Sequence, residues 1–127
     1  MDFHFTITTD KSIQEAIESV ETSLQNHKFG VLWKLDIPAT LKNKGVEADF
    51  KFHVFEVCNP GIAKEFFTSD LMVGYFLPCR VVVYEKDGRT HIGIVKPTAI
   101  LGLVNDELPK LAQPVEEKLI LAIQEAK

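Results

Sequence analysis

The chain has 127 residues, 46% of them hydrophobic and 25% charged, with 14 basic and 18 acidic side chains and a formal net charge of −4. That is the length of one domain with enough apolar side chain for a core, so residues 1–127 are assigned to a single domain. The acidic balance and the lack of a basic cluster argue against nucleic acid as a partner.

The start, Met1-Asp2-Phe3-His4, has neither the cationic opening nor the apolar run of a secretory signal. The most apolar stretch, Leu71 to Cys79, contains Gly74 and Pro78 and is far too short to span a bilayer. The expectation is a cytoplasmic protein with no membrane partner, whose two cysteines stay reduced.

Phe3, Phe5 and Ile7 alternate with His4, Thr6 and Thr8, the period of a half-buried strand. Ser12 and Glu15 have capping-box spacing, and Ile13, Ala16, Ile17, Val20 and Leu24 then form a helical stripe. His27 falls at the end of that helix, where a cation suits the dipole, and Gly30 can end the connection. Val31, Trp33, Leu35 and Ile37 make a second alternating set, stopped by Pro38. Residues 38–45 read as a short helical turn ending at Gly45.

Phe50, Phe52 and Val54 mark a third strand running towards Cys58. Asn59-Pro60 is a helix start, since Asn caps and Pro suits the first helical position. The short helix that follows carries Ala63, Phe66 and Phe67 and fades near Asp70. Val81–Tyr84 and Ile92–Val95 flank an Asp87-Gly88 turn, a strong hairpin signal. A last helix from about Asp106 carries Leu108, Leu111, Ala112, Val115, Leu119, Ala122 and Ile123 on one face. Pro109 is tolerable in its first turn, whereas Pro114 should kink or split it. The order β-α-β-β-α-β-β-α predicts an α+β two-layer sandwich, a largely antiparallel sheet with helices on one face.

A two-residue turn at Asp87-Gly88 sets Lys86 opposite Arg89, Tyr84 opposite His91, Val83 opposite Ile92 and Val81 opposite Ile94. Val81, Val83, Ile92, Ile94 and Cys79 then face the helices, and the same alternation puts Cys58 there with Phe50, Phe52 and Val54. The aromatics Phe3, Phe5, Trp33, Phe50 and Phe52 read as core. The opposite face should hold His4, Leu32, Lys34, Lys51 and His53 together with Phe55, Val57, Val82, Tyr84 and His91. The apolar members of that set predict an interface, most simply a homodimer contact.

Cys58-Asn59-Pro60, followed by Leu77-Pro78-Cys79, resembles a widespread bacterial and archaeal family, the domain-of-unknown-function family numbered 302. The resemblance spans nearly the whole chain and includes the Phe29–Leu32 step, Glu56 to Pro60, and Pro78 to Val81. It implies a compact domain of the same element order whose members look like dimers. It implies no reaction and no catalytic residue.

Three constellations carry possible chemistry. Cys58 directly precedes a helix N-terminus, which would stabilise a thiolate, and Cys79 could be its resolving partner or co-ligand. A full crossover between them would put the two at opposite ends of the sheet. A connection that doubles back would bring them together, and the spacing leaves both open. The plain alternative is two inert buried thiols. His4, His53 and His91 all fall on the outer face and could ligate zinc or copper, although no metal motif is present. Asn59-Pro60-Gly61 could hold an anion, against the simpler reading of an N-cap. Glu56 is the carboxylate of interest, being close to Cys58. There is no nucleophile elbow, P-loop or zinc-protease motif, and no cofactor is expected.

The candidate ligand-binding residues are thus Glu56, Cys58, Asn59, Pro78 and Cys79. The leading expectation is a dimeric module binding a small ligand or a partner protein, with thiol-dependent redox or sulfur transfer as the alternative and histidine-bound metal as the second.

Overall fold

In the computed structural model, which describes residues 2–127, the elements run in the order β1 (His4–Thr9), α1 (Ile13–Asn26), β2 (Gly30–Asp36), α2 (Ile37–Asn43), β3 (Phe52–Cys58), α3 (Pro60–Ser69), a 3-10 turn (Leu71–Tyr75), β4 (Cys79–Lys86), β5 (Arg89–Val95), α4 (Pro97–Leu101) and α5 (Leu108–Ala126). The five strands form one sheet in the order β1-β5-β4-β3-β2, and every neighbouring pair is antiparallel. Helix α1 carries the chain from one edge strand to the other, and β3, β4 and β5 then meander back to β1. This is the expected α+β sandwich.

Local chemistry explains most boundaries. Ser12 and Glu15 form a complete capping box at α1, with Glu15 N–H donating to Ser12 Oγ at 3.2 Å and Ser12 N–H donating to Glu15 Oε1 at 3.1 Å. Asp36 and Asn59 cap α2 and α3, each ahead of a proline in the first turn. Asp87 and Gly88 both take positive φ, 53° and 75°, as the tight hairpin turn requires. The β4–β5 register is the one predicted, from Lys86 opposite Arg89 to Val81 opposite Ile94. Helix α4 was not anticipated, although Pro97 at its first position signals it. Lys28, at φ 68°, makes the left-handed step after α1, whereas Gly30 is already paired in β2. Helix α5 is not split at Pro114. That proline lies on the solvent side, while Ala112, Val115, Leu119, Ala122 and Ile123 pack into the core and hold the helix together.

The core lies between the sheet and helices α1 and α5, centred on Val20, Leu24, Val81, Val83, Ile92, Ile94, Leu119 and Ile123. Two ties join the helices. Ser23 Oγ donates to the Ala122 carbonyl at 2.6 Å, and His27 Nε2 meets Glu125 Oε2 at 2.7 Å.

The face assignment of β3 is the main correction. Phe55 and Val57 lie opposite Val81 and Cys79, and they are buried at 1% and 0% exposure among the helix-side core. They were expected on the outer face. His53 moves with them, opposite Val83. Phe52, Val54 and Glu56 take the outer face, opposite Tyr84, Val82 and Arg80. The β3 segment has apolar residues at both parities, so alternation alone allows either choice. Pairing with β4 decides it.

A bulge at Leu32 produces the second correction. Val31 pairs with Val57 on the helix side, but Trp33 pairs with Glu56 on the outer side. Trp33 is therefore 50% exposed, and Phe3 and Phe50 are likewise half exposed, so none of the three is a core residue. Lys34 instead turns to the helix side and reaches Glu21 of α1 at 2.7 Å.

Candidate functional site

The connection from β3 to β4 leaves through α3 and the 3-10 turn and doubles back, because the two strands are antiparallel. Cys58 ends β3 and Cys79 begins β4, so both stand at the same end of the sheet. This settles the alternative that the spacing left open.

Between that end of the sheet and α3 lies a cavity of about 160 Å³. Cys58, Asn59, Pro78 and Cys79 all line it, and four of the five predicted binding residues thus come together. The remaining wall is apolar: Phe29 and Leu32 from the β2 side, Val57, Ile62, Ala63, Phe66 and Phe67 from β3 and α3, Leu77 before β4, and Val115 from α5. Sequence reading singled out the two motifs but missed this wall. Only the fold brings segments from four parts of the chain to one place.

The fifth residue, Glu56, sits on the outer face and is occupied by Arg80. Arg80 donates from Nη2 at 2.8 Å and from Nε at 3.2 Å to the same Glu56 Oε1. Asn59 is equally committed, accepting from Ile62 N–H at 3.2 Å and donating to the Lys28 carbonyl at 3.2 Å. The start of α3 therefore acts as a capped helix end. The two cysteines are free thiols and both are partly buried. The Cys79 thiol is pushed up from its ordinary 9.0 to about 12, chiefly by burial, with Cys58 and Glu56 nearby adding to the effect. At neutral pH it is a protonated, weakly polar group, not a nucleophile.

The three outer-face histidines do not converge. His53 lies on the helix side, within 4.0 Å of Asp36, because β3 takes the opposite parity. His4 contacts Thr6 at 2.8 Å, and His91 stacks on Tyr84 with ring centroids 5.0 Å apart. Among the described residues, no three His, Cys, Asp or Glu side chains are placed to hold a metal ion.

The outer face keeps Val82, Tyr84 and His91, as expected, and adds residues that were assigned elsewhere. Phe52, Tyr84 and His91 form a stacked row across three strands, with successive centroids 5.0 Å apart and planes within 9°. Trp33, Leu35, Val54 and Val82 extend it.

A five-stranded antiparallel sheet with helices α1 and α5 on one face and an apolar, cysteine-bordered cavity at one end defines a small α+β module. The family model for the domain of unknown function DUF302 matches residues 5–126. The chain is also similar to a crystal structure of an uncharacterised conserved DUF302 protein from Bacillus stearothermophilus, at 38% identity over 100% of both chains and a TM-score of 0.95. No curated protein matches. The chain belongs to the DUF302 family. Among the described residues, no helix is long and apolar enough to cross a membrane.

Proposed function

We propose that this chain is a homodimeric cytoplasmic module that binds a small, uncharged, apolar ligand in the cavity bordered by Cys58, Asn59, Pro78 and Cys79. The cavity itself carries the reading. Its volume of about 160 Å³ matches that of apolar protein cavities of roughly 150 Å³ that stay dry and take benzene. Its polar neighbours are already engaged or neutral. Asn59 caps α3, Glu56 is held by Arg80, and Cys79 keeps its proton. An anionic ligand would find no cationic side chain in the lining, whereas an apolar ring or short chain would lose water contact at little cost.

The test is thermal unfolding of the wild type and of Ala63→Phe in the presence of benzene or indole. Stabilisation of the wild type that disappears when Ala63→Phe fills the cavity supports the reading. Identical responses in the two proteins, or no response in either, overturn it.

The dimer rests on the outer sheet face. Its aromatic row lies on the same face as a balanced pair, Arg80 with Glu56, so it suits a second copy of itself better than a strongly charged partner. A second reading, thiol-dependent redox or sulfur transfer at Cys58 with Cys79 assisting, is favoured by one observation: both sulfur-bearing residues border one cavity.

A further inference from the structure

We propose that Cys58 and Cys79 form a two-sulfur site for a soft monovalent cation, Cu(I), within the same cavity that the preceding reading assigns to an apolar ligand. Both residues line that space, and neither thiol has a hydrogen-bond partner among the described residues. They come from adjacent strands, Cys79 lying opposite Val57, the residue before Cys58. They are also close enough that Cys58 adds to the burial that holds the proton on Cys79. A cation between them offsets that effect.

The donor set selects the ion. Zinc in a structural site takes four ligands, and calcium or magnesium takes six or more oxygens. Glu56 is bound by Arg80 and the Asn59 amide is used on both sides, so no oxygen donor is free to complete such a shell. Two sulfurs in apolar surroundings suit a soft ion content with two ligands, which is Cu(I). A direct disulfide suits them less. Val57 points to the same side of the ladder as Cys79, so Cys58 alternates away from it at the strand end. A bridging cation tolerates sulfurs roughly twice a metal–sulfur bond of about 2.3 Å apart, whereas a disulfide draws them to about 2 Å.

The step is a ligand exchange. Each S–H bond breaks as a Cu–S bond forms, the protons pass to solvent, and copper remains Cu(I), so no oxidant or reductant takes part. The burial of Val57 and Phe66 around the site restricts water access to the bound ion.

The experiment is anaerobic titration of the reduced full chain with Cu(I) held by a coloured chelator, followed by X-ray absorption of the loaded protein. The expected result is removal of one Cu(I) per chain from the chelator, with only sulfur in the first coordination sphere. Cys58→Ser and Cys79→Ser should each lose this uptake while keeping the wild-type circular dichroism. If a serine variant does not fold, Cys58→Ala and Cys79→Ala replace it, with the same loss expected. No uptake by the wild type, uptake retained in either single variant, or nitrogen and oxygen in the coordination sphere overturns the proposal. Benzene or indole binding by metal-free protein is read separately, so failure of the copper site leaves the apolar-ligand reading standing, and the reverse holds too.

Discussion

Val57 sits directly opposite Cys79 in the β3–β4 ladder, and that pairing places both cysteines at one end of the sheet. It also buries Val57 completely and puts Cys79 on the helix side, against the core. The pairing therefore sets the chemical character of the cavity as well as its position.

Burial of the Cys79 thiol gives a pH dependence with a definite sign. Its folded value, about 12, lies above the 9.0 of an unfolded chain. The folded state holds the proton more tightly, so this contribution is fully present below pH 9 and is lost as pH rises towards 12. One such proton gives a slope of at most about 1.4 kcal/mol per pH unit. Urea unfolding of wild type and Cys79→Ala across this window should show the steeper loss in the wild type. Parallel curves would show that Cys79 is not held protonated by the fold.

The same burial governs reactivity. In a Cys58→Ser background, iodoacetamide should modify Cys79 at neutral pH at least about tenfold more slowly than it modifies a free thiol with an ordinary pKa near 8.5. Mass spectrometry of quenched samples reads this. A rate equal to or above the free-thiol rate at Cys79 would contradict the protonated, buried state.

Glu116, at 7% exposure, accepts from Thr98 N–H at 3.0 Å and from Thr98 Oγ1 at 2.6 Å, and so caps α4 from α5. Glu116→Ala leaves two partly buried donors of Thr98 without this acceptor and should cost about 1 kcal/mol of stability. Glu116→Gln keeps an acceptor oxygen and should cost less. Denaturant midpoints compare the two, and equal losses would mean that the hydrogen bonds contribute nothing.

Phe66 is almost fully buried on α3 and forms part of the cavity wall. Phe66→Ala should destabilise the chain by about 3–5 kcal/mol, with partial recovery on adding benzene as the enlarged space fills. Calorimetry with and without benzene measures both effects. A large loss with no recovery would place the cost in collapse of α3 instead of in an accessible cavity.

The dimer predicts an effect of Tyr84→Arg. Tyr84 is the middle ring of the stacked row on the outer face and is partly exposed. An arginine there should convert a dimer to a monomer in light-scattering measurements, with a change in monomer unfolding of about 1 kcal/mol or less. A wild type that is already monomeric at high concentration would remove the homodimer from the proposed function.

Much of the architecture was legible along the chain because it rests on local rules. The Ser12–Glu15 box, the prolines at the starts of α2 and α3, and the Asp87-Gly88 turn each fix nearby backbone, and the last of these also sets the β4–β5 register. The two Cys/Pro motifs were legible as well, as residues and as a family resemblance. What they did together was not, because residues 59–78 read equally well as a crossover or as a return.

Strand parity divides the two levels of information most clearly. Asp87-Gly88 places Val83 and Ile92 on one face through a covalent two-residue link. Phe55 has no such local constraint, since β3 offers apolar residues on both sides and β2 carries a bulge at Leu32. Its burial was decided by pairing with Val81 across a connection of many residues. Local chemistry thus determined the elements, their caps and the hairpin. Tertiary pairing alone decided which side of β3 became core and that Cys58 and Cys79 share a cavity, because hydrogen-bond register between distant strands depends on the assembled sheet and on no short stretch of sequence.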